Sequence, residues 1–206
     1  SEMVPLDDRD YDKRARISEL SPPHYYPDNE MVYPNGQEFY TARPGTERVD
    51  KLFTDRNLIA LSILRHEIHR LEEQDFSEAV IDSLLLTFVA ILEHVSRMQR
   101  PNKKGWGTKN YVIRPENLEL NVAHAFHNRF TTVLDGMREA NSELNDGEEL
   151  DDRGRFITGD ARDLPVDHES VNYVFTDPEY GDAVQYFELS YMANSWLDSS
   201  VNWEDE

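Results

Sequence analysis

The side chains best suited to chemistry lie in one segment near the carboxyl end of the sequence, Thr176-Asp177-Pro178-Glu179-Tyr180-Gly181. The carboxylate of Asp177 can accept a hydrogen bond from an amino group. Pro178 fixes its own φ and removes a backbone donor, so that a carbonyl there can face a ligand. Tyr180 offers a flat ring on which a base can stack. The segment directly follows an apolar run, and the carboxyl ends of buried strands are where open α/β sheets bind ligands. An ordinary Asp-Pro turn that closes a strand is the alternative interpretation.

A longer stretch around this segment, VNYVFTDPEYGDAVQYFELSYMANSWL at residues 171–197, resembles a known catalytic motif. It looks like the motif of the amino-group DNA methyltransferases, which act on the N6 of adenine or the N4 of cytosine. More narrowly, it resembles large DNA methylases in which Asp-Pro-Pro-Tyr-Gly continues into a Gln-Tyr-Phe-Glu-Leu-Ser-like helix. The upstream segments LFTDRNLIALSIL and GWG are also similar to that family, so the resemblance extends over roughly residues 25–197.

This resemblance implies a Rossmann-like methyltransferase sheet, a DNA substrate and S-adenosylmethionine as the methyl donor. In that family the aspartate and the first proline carbonyl accept hydrogen bonds from the exocyclic amine of a flipped base, and the aromatic residue stacks on it. At matching positions, Asp177, Pro178 and Tyr180 take these catalytic roles. Asp160, in ITGDARDLP, matches an acid that lies near the adenine of the cofactor, with a turn or cap role as the alternative. The chain contains no cysteine, which agrees with amino-group transfer because C5-cytosine methylation needs a cysteine nucleophile.

Two departures from the family pattern bear on activity. Glu179 stands where the family has a second proline, which adds a carboxylate beside the target base. The family's glycine-rich cofactor loop is missing upstream, and Gly105-Trp106-Gly107 follows a lysine-rich stretch and not a strand. We therefore expect a methyltransferase fragment or subunit that carries the base-positioning half of the site and needs a second methylase chain. A non-catalytic remnant that binds nucleic acid or a protein partner is the alternative.

A second candidate site is the basic segment at residues 94–115, which contains no Asp or Glu in an otherwise acidic chain. Cationic side chains that contact phosphates, interleaved with rings that stack on bases, are typical of nucleic-acid binding. A solvated loop that pairs with the acidic surface is the alternative. The candidate nucleic-acid-binding residues are Arg97, Arg100, Lys103, Lys104, Trp106 and Lys109.

Two His-x-x-His pairs, His66/His69 and His124/His127, are weak candidates for metal ligands. Neither pair is of the HExxH type, and no third ligand lies at a fixed spacing. We expect surface or interhelical histidines and no metal.

Apolar residues at helical spacing predict three helices, over residues 55–73, 76–99 and 115–140, the last beginning at Pro115. Residues 1–50 are proline-rich and aromatic, which predicts an irregular arm packed onto a hydrophobic surface. The sequence therefore divides into an arm at 1–50, a helical region at 51–141 and a C-terminal α/β segment at 142–206.

The C-terminal segment is predicted to hold strands at 155–160 and 171–176 and a helix at 183–197. The expected fold class is α/β, an incomplete Rossmann-like methyltransferase sheet with a large helical N-terminal part. Because such a sheet leaves an open edge, the arm or a second copy of the chain is expected to cover it, which favours a homo-oligomer.

The formal net charge is −20, from 41 acidic and 21 basic residues. Such a composition is typical of halophilic proteins, in which salt screens the self-repulsion. An acidic partner-binding surface or a nucleic-acid mimic is the alternative. The sequence shows neither the apolar core of a signal peptide nor 18 consecutive apolar residues, so we expect a cytoplasmic protein without a membrane span.

Overall fold

A computed structural model describes residues 7–99, 110–113, 115–144, 157, 159, 163–177 and 185–198. The chain divides into two units, the first formed by Ser1–Val133 with Gln185–Glu206 and the second by Leu134–Val184. Five α-helices are described: α1 (Asp8–Ser18), α2 (Asp55–Arg70), α3 (Glu78–Val95), α4 (Val122–Leu144) and α5 (Tyr186–Leu197). Among the described residues, no helix combines the length and the apolar character needed to cross a membrane.

The first helix lies in the arm, which the sequence predicted to be irregular. Its start is a capping box: the Asp7 carboxylate accepts hydrogen bonds from the amides of Arg9 and Asp10, and the Asp10 carboxylate accepts one from the Asp7 amide. Such reciprocal bonds satisfy the amides that a helix start leaves unpaired. None of the α1 residues is buried, although the helix contacts α2, so local capping and not a buried apolar face is its clearest stabilising feature.

The helices α2 and α3 confirm the predicted helices at 55–73 and 76–99, with shorter ends. Thr54 caps α2 by accepting a hydrogen bond from the Asn57 amide at 3.3 Å. The two helices pack against each other, and their inward-facing residues form much of the hydrophobic core: Leu58, Leu61, Ile68, Phe88, Ile91, Leu92 and Val95.

The helix α4 begins at Val122, so the predicted start at Pro115 is wrong. The Asn121 side chain accepts a hydrogen bond from the His124 amide at 2.9 Å, which makes Asn121 the cap. The preceding stretch bonds to other elements instead: Leu118 donates its amide to the carbonyl of Gln99 at 2.9 Å.

The helix α5 confirms most of the helix predicted at 183–197, and it packs onto the arm. Its Trp196 is fully buried, with its ring edge-to-face against Phe53 and Phe88. On the arm side, Phe39 packs edge-to-face against Phe187 and Tyr191. The arm is therefore part of the core.

The expected α/β fold with an incomplete Rossmann-like sheet is wrong for the part of the chain that the structure describes. No strand occurs there, and its only β pairings are two isolated bridges in the arm, Glu30 with Arg48 and Val32 with Glu38. Residues 171–176 are exposed and not in a strand. Of the other predicted strand only Ile157 and Gly159 are described, and both are exposed.

The sheet prediction failed for a physical reason. A strand is stable only when neighbouring strands pair with its backbone and another part of the protein covers its apolar face. Apolar runs show that a segment is suited to such burial, but not that a neighbour exists. The expected homo-oligomer rested on an open sheet edge, and the described residues contain no such edge.

Candidate functional site

The central residue of the predicted catalytic motif, Asp177, lies in the second unit at the end of an exposed apolar run. Asp177 is exposed. Two residues of the same run expose aromatic rings, since Tyr173 and Phe175 are both 79% exposed. The local structure thus presents a carboxylate and two rings to solvent.

Most of the other predicted site residues lie outside the described residues. This holds for the catalytic candidates Pro178 and Tyr180 and for the cofactor candidate Asp160. It also holds for most of the basic segment, namely Arg100, Lys103, Lys104, Trp106 and Lys109.

The described residues on either side of the cofactor candidate Asp160 are exposed. The same holds for every described residue from 157 to 177. A cofactor site needs a cleft that buries most of its ligand, and the cofactor role of Asp160 therefore stays a prediction.

Arg97 belongs to the first unit and has structural contacts. Its amide donates a hydrogen bond to the carbonyl of Leu52 at 2.7 Å, and its guanidinium donates one to the carbonyl of Lys51 at 3.3 Å. The side chain is half-buried. These bonds fasten the segment after α3 to the 3-10 turn at Val49–Leu52, which precedes α2, a role that the sequence did not reveal.

A buried carboxylate that the sequence reasoning missed is Glu188, in the first turn of α5. It is 0% exposed. One of its oxygens accepts hydrogen bonds from the Tyr33 hydroxyl at 2.6 Å and the Tyr40 amide at 2.8 Å. The other accepts one from the Thr41 amide at 2.7 Å. Glu188 therefore ties α5 to the arm.

These bonds determine the charge state of Glu188. Burial by itself raises the pKa of a carboxyl, but the hydrogen bonds from Thr41, Tyr33 and Tyr40 outweigh it and hold the pKa of Glu188 below its ordinary value. The carboxylate is thus ionised at neutral pH, and both of its oxygens accept hydrogen bonds. The arrangement suits structural anchoring, not proton transfer.

Tyr111 fastens the same helix from another direction. Its buried hydroxyl donates a hydrogen bond to the backbone carbonyl of Glu188 at 2.5 Å and accepts one from the Met192 amide at 3.3 Å. Burial raises the pKa of Tyr111 well above its ordinary value. Tyr111 lies within the basic segment at residues 94–115, but its described contacts are internal.

A pocket lies in the first unit between the arm and α5, with a volume of about 750 Å³. Its walls include the aromatic residues Tyr25, Tyr33, Phe187 and Tyr191. The signal in the sequence was the aromatic character of the arm, from which we predicted packing onto a hydrophobic surface, with a binding groove as the alternative.

Three of the four histidines in the two pairs have described side-chain contacts. The ring of His66 stacks on that of His24, with ring centres 3.7 Å apart. His69 contacts Glu72 at 2.9 Å, and His124 contacts Asn128 at 3.0 Å. Among the described residues, no group of three acidic or histidine side chains is placed to hold a metal ion.

Comparisons with family models, with curated proteins and with solved structures found no match to this chain.

Proposed function

We propose that the chain is the base-positioning part, as a fragment or a subunit, of an S-adenosylmethionine-dependent DNA methyltransferase that acts on an amino group. The observation that carries the proposal is the exposed carboxylate of Asp177, which stands in a motif resembling that of the amino-group methyltransferases. With DNA as its substrate, the protein is proposed to work in the cytoplasm.

The chemistry proposed for Asp177 is recognition of an exocyclic amine. An ionised carboxylate accepts a hydrogen bond from the amino group of adenine or cytosine, and such charge-assisted bonds are stronger than neutral ones. A base must leave its stack before a side chain can reach this edge, and aromatic rings stabilise an unstacked base. The exposed rings of Tyr173 and Phe175 lie two and four residues away in the sequence.

The methyl donor is proposed to bind a glycine-rich segment that these 206 residues lack. That segment belongs to another part of the protein or to a second methylase chain. Because the sequence lacks this glycine-rich segment, the purified chain is expected to transfer little or no labelled methyl group to DNA on its own.

The test is base discrimination by the chain, measured by fluorescence anisotropy with labelled duplexes. One duplex carries an adenine opposite an abasic site, and its match carries purine, which lacks the amino group, at the same position. We expect about ten-fold tighter binding of the adenine duplex, because a hydrogen bond to a charged group contributes about 1.5–3 kcal/mol. Measurements at about 1 M KCl screen the charge of the protein.

Asp177→Ala should abolish this preference, whereas Asp163→Ala should retain it. Both residues are exposed, lie in the second unit and carry the same charge. Equal binding of the two duplexes by the wild-type chain contradicts the proposal, as does discrimination that survives in Asp177→Ala.

One observation favours the alternative, a non-catalytic module that binds a protein partner. The run at residues 171–175 exposes four apolar or aromatic residues, each by more than half: Val171, Tyr173, Val174 and Phe175. Exposed apolar patches of this kind often mark interaction sites. Failure of the chain to bind either duplex, at any salt concentration, would favour this second function.

A further inference from the structure

The pocket between the arm and α5 has the size of a small-molecule site. Its volume is about 750 Å³, and typical ligand pockets span about 300–1,000 Å³. All of its lining residues belong to the first unit, and none is part of the site proposed for the base. The residues that line the pocket therefore determine which ligand it can bind, independently of the site proposed for the base.

The hydroxyl groups of the three tyrosines in its wall already donate their hydrogens to the protein. Tyr25 donates to the carbonyl of Ser195 at 2.8 Å, Tyr191 to the carbonyl of Glu30 at 3.0 Å, and Tyr33 to the carboxylate of Glu188 at 2.6 Å. A hydroxyl has one hydrogen and two lone pairs. These hydroxyls therefore have no hydrogen left to donate to a ligand.

The charged residues in the wall are both acidic. Glu30 and Asp198 line the pocket, whereas no lysine, arginine or histidine does so among the described residues. The negative charge of Asp198 acts on the tyrosine beside it: burial first, and then Asp198, raise the pKa of Tyr25. An anionic ligand would meet repulsion here, and a cation would be attracted.

The aromatic walls add to this preference, because the faces of aromatic rings attract cations. The protein uses the Tyr25 ring in this way already, since the guanidinium carbon of Arg65 lies 4.4 Å from its centre. Arg65 is not part of the wall and is fixed by a hydrogen bond from its Nε to the carbonyl of Trp196 at 2.7 Å. Phe187 supplies an apolar surface for the body of a ligand.

We propose that this pocket binds an organic cation, an ammonium group attached to an aromatic or aliphatic body. The ammonium contacts the carboxylates of Glu30 and Asp198, and the body packs against the rings. A free amine and a lysine side chain share this chemistry.

The test compares three ligands of similar shape by isothermal titration calorimetry: 2-phenylethylammonium, the neutral 2-phenylethanol and the anionic 3-phenylpropionate. We expect the ammonium to bind about ten-fold more tightly than the alcohol, and the carboxylate not to bind. Nα-acetyl-lysine methylamide distinguishes the two sources: stronger binding than the free amine identifies a lysine side chain. Equal binding of the ammonium and the alcohol, or no binding of any cation, overturns the proposal.

Two variants locate the cation. Asp198→Asn and Glu30→Gln each remove one carboxylate, and Asn tolerates the left-handed backbone of residue 198, where φ is 57°. Each should reduce the preference for the ammonium over the alcohol about three- to ten-fold. Glu38→Gln removes the same charge from an exposed residue of the arm outside the wall and should leave the preference unchanged. If all three variants weaken ammonium binding equally, the attraction is that of the whole acidic chain and the proposal fails.

Discussion

At the scale of single residues, Glu188 shows how a charge can be buried without destabilising the fold. A buried ion is costly unless its acceptor sites are occupied. Here the amides of Tyr40 and Thr41 and the hydroxyl of Tyr33 occupy them. The Glu188 carboxylate thus supplies hydrogen-bond acceptors to donors of the irregular arm, whose own backbone does not supply them.

We predict that Glu188→Gln lowers the free energy of unfolding at neutral pH by about 1–3 kcal/mol. The amide keeps one acceptor oxygen but directs its NH₂ group at donors that had faced an oxygen. Urea unfolding followed by circular dichroism measures the change. Glu38→Gln, at an exposed arm position, is the control and should unfold like the wild type. Equal stability of the two variants would mean that the Glu188 bonds contribute nothing net.

The same pair of variants tests the charge state through pH. The pKa of Glu188 in the folded chain lies below its ordinary value of 4.5. Its contribution is therefore fully present above that ordinary value and is lost as the pH falls through the lower folded pKa. We expect the stability difference between wild type and Glu188→Gln to be constant near neutral pH and to narrow below about pH 4.5. A difference that widens with acid would show that the folded pKa is raised instead.

The sequence identified Asp177 but not Glu188, for a physical reason. Asp177 stands in a short motif whose chemistry can be inferred from adjacent residues. The donors to Glu188 lie about 150 residues earlier in the chain, and an acid in the first turn of a helix is common anyway because it complements the helix dipole. Only the packed structure brings Glu188 and its donors together.

At the scale of elements, Asn57 holds three segments together. It is 1% exposed, and its Nδ2 donates hydrogen bonds to the carbonyl of Val95 at 2.8 Å and the carbonyl of Leu120 at 2.9 Å. Val95 ends α3 and Leu120 precedes α4. One side chain on α2 therefore pairs with a carbonyl at the end of α3 and with a carbonyl in the segment before α4. This link helps to explain why α4 begins at Val122 and not at Pro115.

We predict that Asn57→Ala destabilises the protein by about 1–3 kcal/mol for each carbonyl left unpaired. Ser62 is the matched control, because it is buried on the same helix and its Oγ has no hydrogen-bond partner among the described residues. Ser62→Ala should therefore be nearly neutral or slightly stabilising. Thermal unfolding of both variants measures the contrast. Similar losses in the two would show that burial of any small polar group, and not these bonds, determines the cost.

The helices were more predictable than the strands. Two of them, α2 and α3, carry long apolar stripes with a period that only a helix explains. The helix α1 has no such stripe and depends on a capping box, so the apolar pattern did not reveal it. The predicted strand at 171–176 rested on a run of six residues. Such a run indicates that the segment tends to be buried, but it does not show whether another strand or helix is present to bury it.

At the scale of the whole molecule, the excess of acidic residues is the dominant feature. The chain has 41 acidic and 21 basic residues. Ion pairs such as Arg70 with Glu67 and Arg56 with Glu119 are at least partly exposed, and such pairs contribute little stability. Because the acidic residues outnumber the basic ones by 20, at least that many negative charges lack a basic residue to pair with one-to-one, and they repel one another.

We predict that the midpoint of thermal unfolding rises with KCl concentration. The Debye length falls from about 10 Å at 0.1 M to about 3 Å at 1 M, so repulsion between surface carboxylates is progressively screened. The rise should be steepest below about 1 M and should then level off, because little screening remains to be gained. Sorbitol at matched osmolality is the control: it lacks charge and should not reproduce the steep initial rise. A midpoint that is flat or falls between about 0.1 and 2 M KCl would show that self-repulsion does not limit stability, and the halophilic interpretation of the composition would then be wrong.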